Sequence, residues 1–159
     1  MIKVGQGFDV HQFIKGTKCI IGGVQIKHTH GLLGHSDSDV LLHAVTDSLL
    51  GAAGIGDIGK HFPDTNPDFK GIDSREILRL VVAMIRKKGY EINNIDATII
   101  CEKPKIAAHS LDMRTKIASL CNIKLDQVSV KGTTSEKLGF AGREEGIAAM
   151  ATVLLEYNG

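Results

Sequence analysis

Asp9 and His11 stand two residues apart in Gly7-Phe8-Asp9-Val10-His11, and a strand there turns both side chains to one face. His43 closes the run His35-Ser36-Asp37-Ser38-Asp39-Val40-Leu41-Leu42-His43. It falls inside a helix-like stretch, so it can supply a third coordination position from a separate element. Two imidazoles and a carboxylate suit a catalytic zinc, which keeps a fourth position open for water or substrate. A later cluster, Thr133-Thr134-Ser135-Glu136, offers three hydroxyls, backbone amides and one carboxylate. That combination holds phosphate oxygens while Glu136 supports a hard divalent cation.

A lone helix histidine is more often a surface or core residue than a ligand. Here Asp39, His43 and Asp47 lie at i, i+4, i+8 on one broad helix face, so a neighbouring carboxylate is expected to orient the imidazole. His28 and His30 alternate at a strand end without an evident third ligand and read as solvated surface. His35 and Ser36 just precede the helix, where backbone N–H groups and the helix dipole attract phosphate oxygens. His61 and His109 stay unassigned. Asp37-Ser38-Asp39 lacks the glycine and distal glutamate of a calcium loop. Gly5-Gln6-Gly7 fails as a dinucleotide fingerprint, Lys131 to Lys137 fails as a P-loop, and there is no His-Glu-x-x-His of a metalloprotease.

These residues need a scaffold, and 159 residues with 43% apolar content suffice for one domain, 1–159, with its own core. With 19 basic and 18 acidic residues the formal net charge is +1, which argues against a nucleic-acid partner. Charges or glycines interrupt every apolar run, so no membrane span is expected. The start reads as a strand rather than a signal peptide. Cys19, Cys101 and Cys121 are scattered and odd in number, as expected of buried, reduced thiols. A cytoplasmic protein is expected, or one of a plastid-type stroma if a transit segment has been removed.

The expected elements begin with a strand from Ile2 to Val10 and a hairpin from Lys18 to Lys27 about Gly22-Gly23. Ser38 is expected to cap a helix through about Leu50. The glycines of 51–59 mark a loop where backbone approaches a ligand. Asp73 with Glu76 reads as a capping box for a second helix ending at Gly89, its inward stripe being Ile77, Leu80, Val81, Met84 and Ile85. A short strand Ala97 to Cys101, a helix from about Ala107 to Leu120, and strands Gln127 to Lys131 and Gly146 to Tyr157 complete the chain. Interleaved helices and strands with a hairpin predict an α+β fold: a two-layer subunit with a mixed β-sheet and about three helices packed on one face.

Six stretches carry a resemblance that spans nearly the whole chain. They are Gly7 to His11, Gly34 to His43, Asp57-Ile58-Gly59-Lys60, Phe62-Pro63-Asp64-Thr65, Lys131 to Phe140, and Gly142-Arg143. In them the sequence resembles the 2-C-methyl-D-erythritol 2,4-cyclodiphosphate synthase family of the non-mevalonate route to isoprenoids. The resemblance implies a homotrimer with active sites between neighbouring subunits. By matched position Asp9, His11 and His43 would hold zinc (Zn2+, or another divalent transition metal), while Glu136 would hold a magnesium or manganese ion (Mg2+ or Mn2+) bridging the diphosphate. His35 and Ser36 would contact phosphate, and Asp57, Ile58 and Gly59 would line the methylerythritol part. Phe62, Pro63, Asp64, Thr65 and Asn66 would form a further substrate segment. Cys101, Lys105, Ile106 and Ala107 would shape a cytidine pocket largely through backbone, with Thr133, Thr134 and Ser135 beside the diphosphate. Phe140 and Arg143 would border a trimer-axis channel able to admit an isoprenoid diphosphate.

Asn66 stands where the family often has Asp, Ser135 replaces a common Thr, and Met150 stands where some members carry a carboxylate. The implied reaction is internal. The 2-phosphate of 4-diphosphocytidyl-2-C-methyl-D-erythritol 2-phosphate attacks the β-phosphorus and expels CMP, with His35 and Thr134 donating to the transition state. The rivals are a zinc phosphohydrolase using the same ligands to activate water, and a trimeric isoprenoid diphosphate-binding protein with a structural metal.

Overall fold

The computed structural model describes residues 1–159. Its main sheet has five strands in the order β4-β1-β7-β5-β6: β1 (Ile2–Lys15), β4 (His30–Leu32), β5 (Tyr90–Ile100), β6 (Val128–Thr133) and β7 (Gly146–Tyr157). Strand β1 runs antiparallel to β4 and β7, and β5 antiparallel to β7. Only β5 and β6 pair in parallel, so the sheet is mixed. The hairpin β2 (Cys19–Ile21) and β3 (Val24–Ile26) forms a separate two-stranded sheet.

Three long helices, α1 (Val40–Ala52), α3 (Ser74–Lys87) and α4 (Ser110–Cys121), cover one face of the sheet. Short helices α2 (Ile58–His61) and α5 (Gly139–Gly142) sit in the connections. The core lies between the layers: Leu41, Leu42 and Leu49 of α1, Ile85 of α3 and Met113 and Ile117 of α4 bury against Ile95, Ile99 and Ile147. The chain is α+β. None of its helices is long and apolar enough to cross a membrane.

Strand β1 has an unusual inward row. Lys3, Gly5, Gly7, Asp9, His11 and Phe13 are its less exposed alternate positions, while apolar Ile2, Val4, Phe8, Val10 and Ile14 stand on the open face. The two glycines let α1 lie almost on the strand. A Cβ at Gly7 would fall 1.9 Å from the Ala44 carbonyl oxygen, and one at Gly5 would fall 2.0 Å from that of Ser48. This close approach brings His43, the neighbour of Ala44, over Asp9 and His11.

Several expected boundaries move. Strand β1 runs on to Lys15 because residues 13–15 pair with β4, a three-residue strand that local pattern does not reveal. Strand β5 begins at Tyr90 rather than Ala97, held by antiparallel pairing to β7. Helix α1 is capped by Asp39, whose carboxylate accepts the Leu42 N–H at 3.0 Å, and not by Ser38, which has φ 57°. Asp73 does cap α3, but through the Arg75 N–H, and Glu76 turns to Arg79 instead of closing a box. The buried stripe of α3 is Ser74, Ile77, Leu78, Val81, Val82 and Ile85; Leu80 is 40% exposed.

Candidate active site and metal centre

The inward row of β1 ends at the three residues whose types suggest a metal. Asp9 Oδ2 lies 2.9 Å from His11 Nε2 and 3.1 Å from His43 Nδ1, and the two ring nitrogens are 3.4 Å apart. Donors about 2.0–2.1 Å from a tetrahedral zinc stand roughly 3.3 Å from one another. The cluster therefore accepts such an ion with a few tenths of an ångström of outward relaxation.

The hydrogen-bond partners behind the rings agree with that fit. His11 Nδ1 lies 2.9 Å from the Leu33 carbonyl oxygen, which can only accept, so this nitrogen carries the proton and Nε2 keeps its lone pair. His43 Nε2 lies 2.9 Å from Ser74 Oγ, and Ser74 donates its hydroxyl proton to Asp37. The serine oxygen is left to accept from His43 Nε2–H, so Nδ1 is free. Two imidazole lone pairs and a carboxylate oxygen converge on one point, the donor chemistry of a divalent transition metal. Without an ion the cluster holds protons instead. Burial alone would raise the Asp9 carboxyl, but when the rings take up a second proton, at His11 Nε2 and His43 Nδ1, their hydrogen bonds outweigh this and hold it at about 2. Burial likewise pulls His11 down, yet the Asp9 carboxylate wins and raises it above the usual imidazole range.

The carboxylates expected to orient His43 are engaged elsewhere. Asp39 is fully buried and accepts the N–H groups of Gly22 and Gly23 at 2.8 and 2.7 Å, pinning the β2–β3 turn to α1. Burial pushes its carboxyl up to about 6 against these two N–H bonds and that from Leu42. Asp47 accepts the Ile58 N–H at 2.9 Å and fixes the start of α2. Ser74 and Asp37 fill the orienting role, which local sequence pattern does not point to. One signal is present: the Asp73 cap places Ser74 at the first turn of a helix. His28 and His30 are half-buried rather than solvated, and both rings meet Phe13 edge-on.

A cleft of about 450 Å³ opens over the metal corner. Of the expected residues His11, His35, Ser36, His43, Ile58, Phe62 and Asp64 line it; Gly34 and Ile77 join them, as do Phe69, Lys70, Gly71 and Ile72, which carry no signal in the sequence. Asp57 and Gly59 are exposed and off the lining, and Asp57 caps α2 through the Lys60 N–H. Pro63, Thr65 and Asn66 also lie off the lining, and Asn66 caps the turn Pro67–Phe69 by accepting from the Asp68 N–H at 3.0 Å.

A second pocket of about 200 Å³ is built from Cys101, Pro104, Lys105, Ile106, Ala107, Gly132, Thr133 and Thr134. Six of the seven residues expected there are present, all but Ser135, with Pro104 and Gly132 added. Cys101 is a buried thiol pushed up to about 12 by its desolvation, so it serves as wall rather than nucleophile. Ser135 and Glu136 lie just outside. Ser135 Oγ donates to the Leu138 carbonyl at 2.6 Å, and the Glu136 carboxylate makes no contact with a cation or donor of its own chain. Phe140 lines a third hollow with Val10, His11, Gln12, Glu145 and Gly146, while Arg143 turns aside to pair with Glu145 at 2.8 Å.

The first two pockets share one end of the sheet. His11 pairs with Ile147, and Ala148 leads through Ile100 to Thr133. Three interstrand steps separate them, about 14 Å at roughly 4.8 Å per step.

Comparison with known proteins agrees with this architecture. Residues 2–156 match the YgbB family. A relative from Methylobacillus flagellatus, named 2-C-methyl-D-erythritol 2,4-cyclodiphosphate synthase, is 62% identical over 156 residues, 98% of each chain. One of the same name from Acinetobacter baumannii is 56% identical over 156 residues, again 98% of each. Among solved structures, IspF of Plasmodium falciparum in its CDP complex superposes with a TM-score of 0.88 at 37% identity, covering 99% of this chain and 97% of that one. The bifunctional IspDF from Campylobacter jejuni gives 0.95 at 44% identity, covering 99% of this chain but only 43% of its own length. The chain belongs to the YgbB family, with the 2-C-methyl-D-erythritol 2,4-cyclodiphosphate synthases, and is an enzyme of that group.

Proposed function

We propose that this enzyme, acting as a single domain over residues 1–159, is a phosphorus–oxygen lyase. It converts 4-diphosphocytidyl-2-C-methyl-D-erythritol 2-phosphate to 2-C-methyl-D-erythritol 2,4-cyclodiphosphate and CMP in isoprenoid precursor synthesis. The observation that carries the reading is the convergence of Asp9, His11 and His43 donors at the floor of a cleft whose rim is His35 and Ser36. Asp9, His11 and His43 would hold a zinc ion and Glu136 a magnesium or manganese ion, and both would supply Lewis-acid charge neutralisation at phosphate oxygens when bound.

The chain's own residues then have the work of alignment. The attacking phosphate is anionic at neutral pH, so no strong general base is required. His35 and Ser36 hold that phosphate, with Asp57, Ile58, Gly59 and the segment Phe62 to Asn66 around the methylerythritol part. Cys101, Lys105, Ile106 and Ala107 hold the cytidine, while Thr133, Thr134 and Ser135 line the diphosphate. His35 and Thr134 donate to oxygens that gain charge at the transition state.

The separation of the two pockets supports a site completed across a subunit boundary in a homotrimer. So does the open face of β1, where Ile2 and Val4 are each 65% exposed and Phe8 58%, an apolar row that a neighbouring copy would cover. The hollow beside Phe140 is where an isoprenoid diphosphate would enter such a trimer. A cytoplasmic or plastid-stromal setting suits the three free, buried thiols.

The test is incubation with the cytidyl substrate, zinc and magnesium in labelled water, followed by phosphorus NMR and mass analysis. Cyclic diphosphate and CMP without solvent oxygen are expected. A linear phosphate carrying the label would make the protein a hydrolase, and an unchanged substrate with a tightly bound metal would make it a binding protein.

A further inference from the structure

We infer that Asp37 and Ser74 are a positioning pair that fixes the tautomer of His43, so that a lone pair rather than an N–H at Nδ1 faces Asp9 and His11. This rests on the reading of those three residues as metal ligands and adds a role for two residues that touch neither metal nor substrate. Ser74 is fully buried at the first residue of α3. Its Oγ bridges His43 Nε2, 2.9 Å away, and Asp37 Oδ1. Asp37 Oδ2 also accepts the Ser74 backbone N–H at 3.1 Å, and its Oδ1 accepts the Asp39 N–H at 3.3 Å.

The Ser74 hydroxyl, the Ser74 N–H and the Asp39 N–H all point at Asp37, with the Asp73 carboxyl also beside it, and a carboxylate can only accept. The serine proton therefore lies toward Asp37, and the proton on His43 lies at Nε2 toward the serine. Polarity along the chain is set at its far end, two residues removed from the metal corner. The pair also ties both walls of the cleft to one ring. Asp37 follows Ser36 directly, and Ser74 begins α3 just after Gly71 and Ile72.

Asparagine at position 37 can reverse the chain. Its amide N–H would donate to Ser74 Oγ, the serine would donate to His43 Nε2, and the ring proton would move to Nδ1. The same exchange behind the imidazole of a catalytic triad leaves geometry intact and imposes the wrong tautomer. Partners of this kind behind a metal-binding histidine affect metal affinity by about 10–100-fold.

The experiment uses the full chain, stripped of metal, with nitrogen-labelled histidine. Ring nitrogen shifts report the His43 tautomer, competition with a chromophoric chelator reports zinc affinity, and circular dichroism reports folding. At a pH where the stripped His43 ring holds a single proton, wild type is expected to carry it at Nε2. Asp37→Asn is expected to move it to Nδ1 and weaken zinc binding by about 10–100-fold. Ser74→Ala is expected to lose the single defined tautomer and to weaken zinc by a similar factor. Folded variants that keep the wild-type tautomer and zinc affinity overturn the pair; if Asp37→Asn does not fold, Ser74→Ala is judged by the same two readings. His43→Ala with undiminished zinc binding would instead remove His43 as a ligand, and the tautomer signal would still decide the pair.

Discussion

The metal corner and the Cys101–Thr134 pocket lie at the same end of one sheet but are made differently. At the corner, three side chains from β1 and α1 converge, and each ring is fixed from behind by the Leu33 carbonyl or by Ser74. In the pocket, small residues (Pro104, Ala107, Gly132 and the threonines of 133 and 134) stand beside Cys101, Lys105 and Ile106. The corner specifies chemistry through donor atoms and their protons. The pocket specifies shape, which backbone does well because its own side chains are free to vary. Damage to the first should abolish reaction, and damage to the second should weaken capture of one end of the substrate.

The largest effect is expected from His43→Ala. Bound zinc should disappear and kcat/KM should fall at least about 10³-fold, several kcal/mol of metal-derived stabilisation being lost. The melting temperature should change little, since the buried stripes of α1, α3 and α4 are untouched. Normal zinc content by elemental analysis would break the contrast on the corner's side.

On the pocket side, Gly132→Ala sets a Cβ 2.7 Å from Ile106 Cβ. Crowding of this size costs about 1–3 kcal/mol, so KM is expected to rise about tenfold with zinc content unchanged. A fall in zinc content would mean the two regions are not separable.

The corner alone should respond to pH. In metal-free protein the depressed Asp9 contributes stability above about pH 4 that is lost as pH falls toward 2. His11, raised above its usual value, contributes stability below about pH 6.5 that is lost as pH rises through its folded pKa. Zinc must displace the His11 proton, so its affinity should climb by up to about tenfold per pH unit until that pKa is passed. Melting curves in chelator and zinc competition across pH 5 to 8 should therefore trend in opposite directions; parallel trends would count against the assignment.

The smallest change is expected from Glu136→Gln: turnover reduced several-fold, partly restored by excess magnesium, with zinc and KM near wild type. Kinetics indistinguishable from wild type at limiting magnesium would take Glu136 out of the scheme.

Much of the corner is legible in the amino-acid sequence, and where sequence pattern fails the causes are physical. Asp-x-His on a strand and a helical His43 are enough to propose the donor set, because period two and period 3.6 place those residues without knowledge of packing. Strand β7 matches to the residue because Gly146 and Tyr157 bound an apolar run broken only by Thr152 and Glu156. The expected stripe of α3 is rotated from the buried one because eight of the nine positions from Ile77 to Ile85 are apolar, all but Arg79. Only contact with α1 and β5 selects Leu78 and Val82 over Leu80. Ser38 and Asp39 are both good capping residues, and the choice falls to Asp39 because Gly22 and Gly23, seventeen and sixteen residues away, claim the same carboxylate. The Ser74–Asp37 link joins residues 37 positions apart, beyond the reach of any local pattern.

The bare backbone at Gly5 and Gly7 sets a spacing that no ligand residue controls. Were either to gain a methyl group, α1 would have to lift off the strand by an ångström or more, and His43 would rise with it. The bite of the ligand set is thus gauged by two hydrogens, and a substitution touching neither metal nor substrate could still leave the imidazoles too far apart to share one ion.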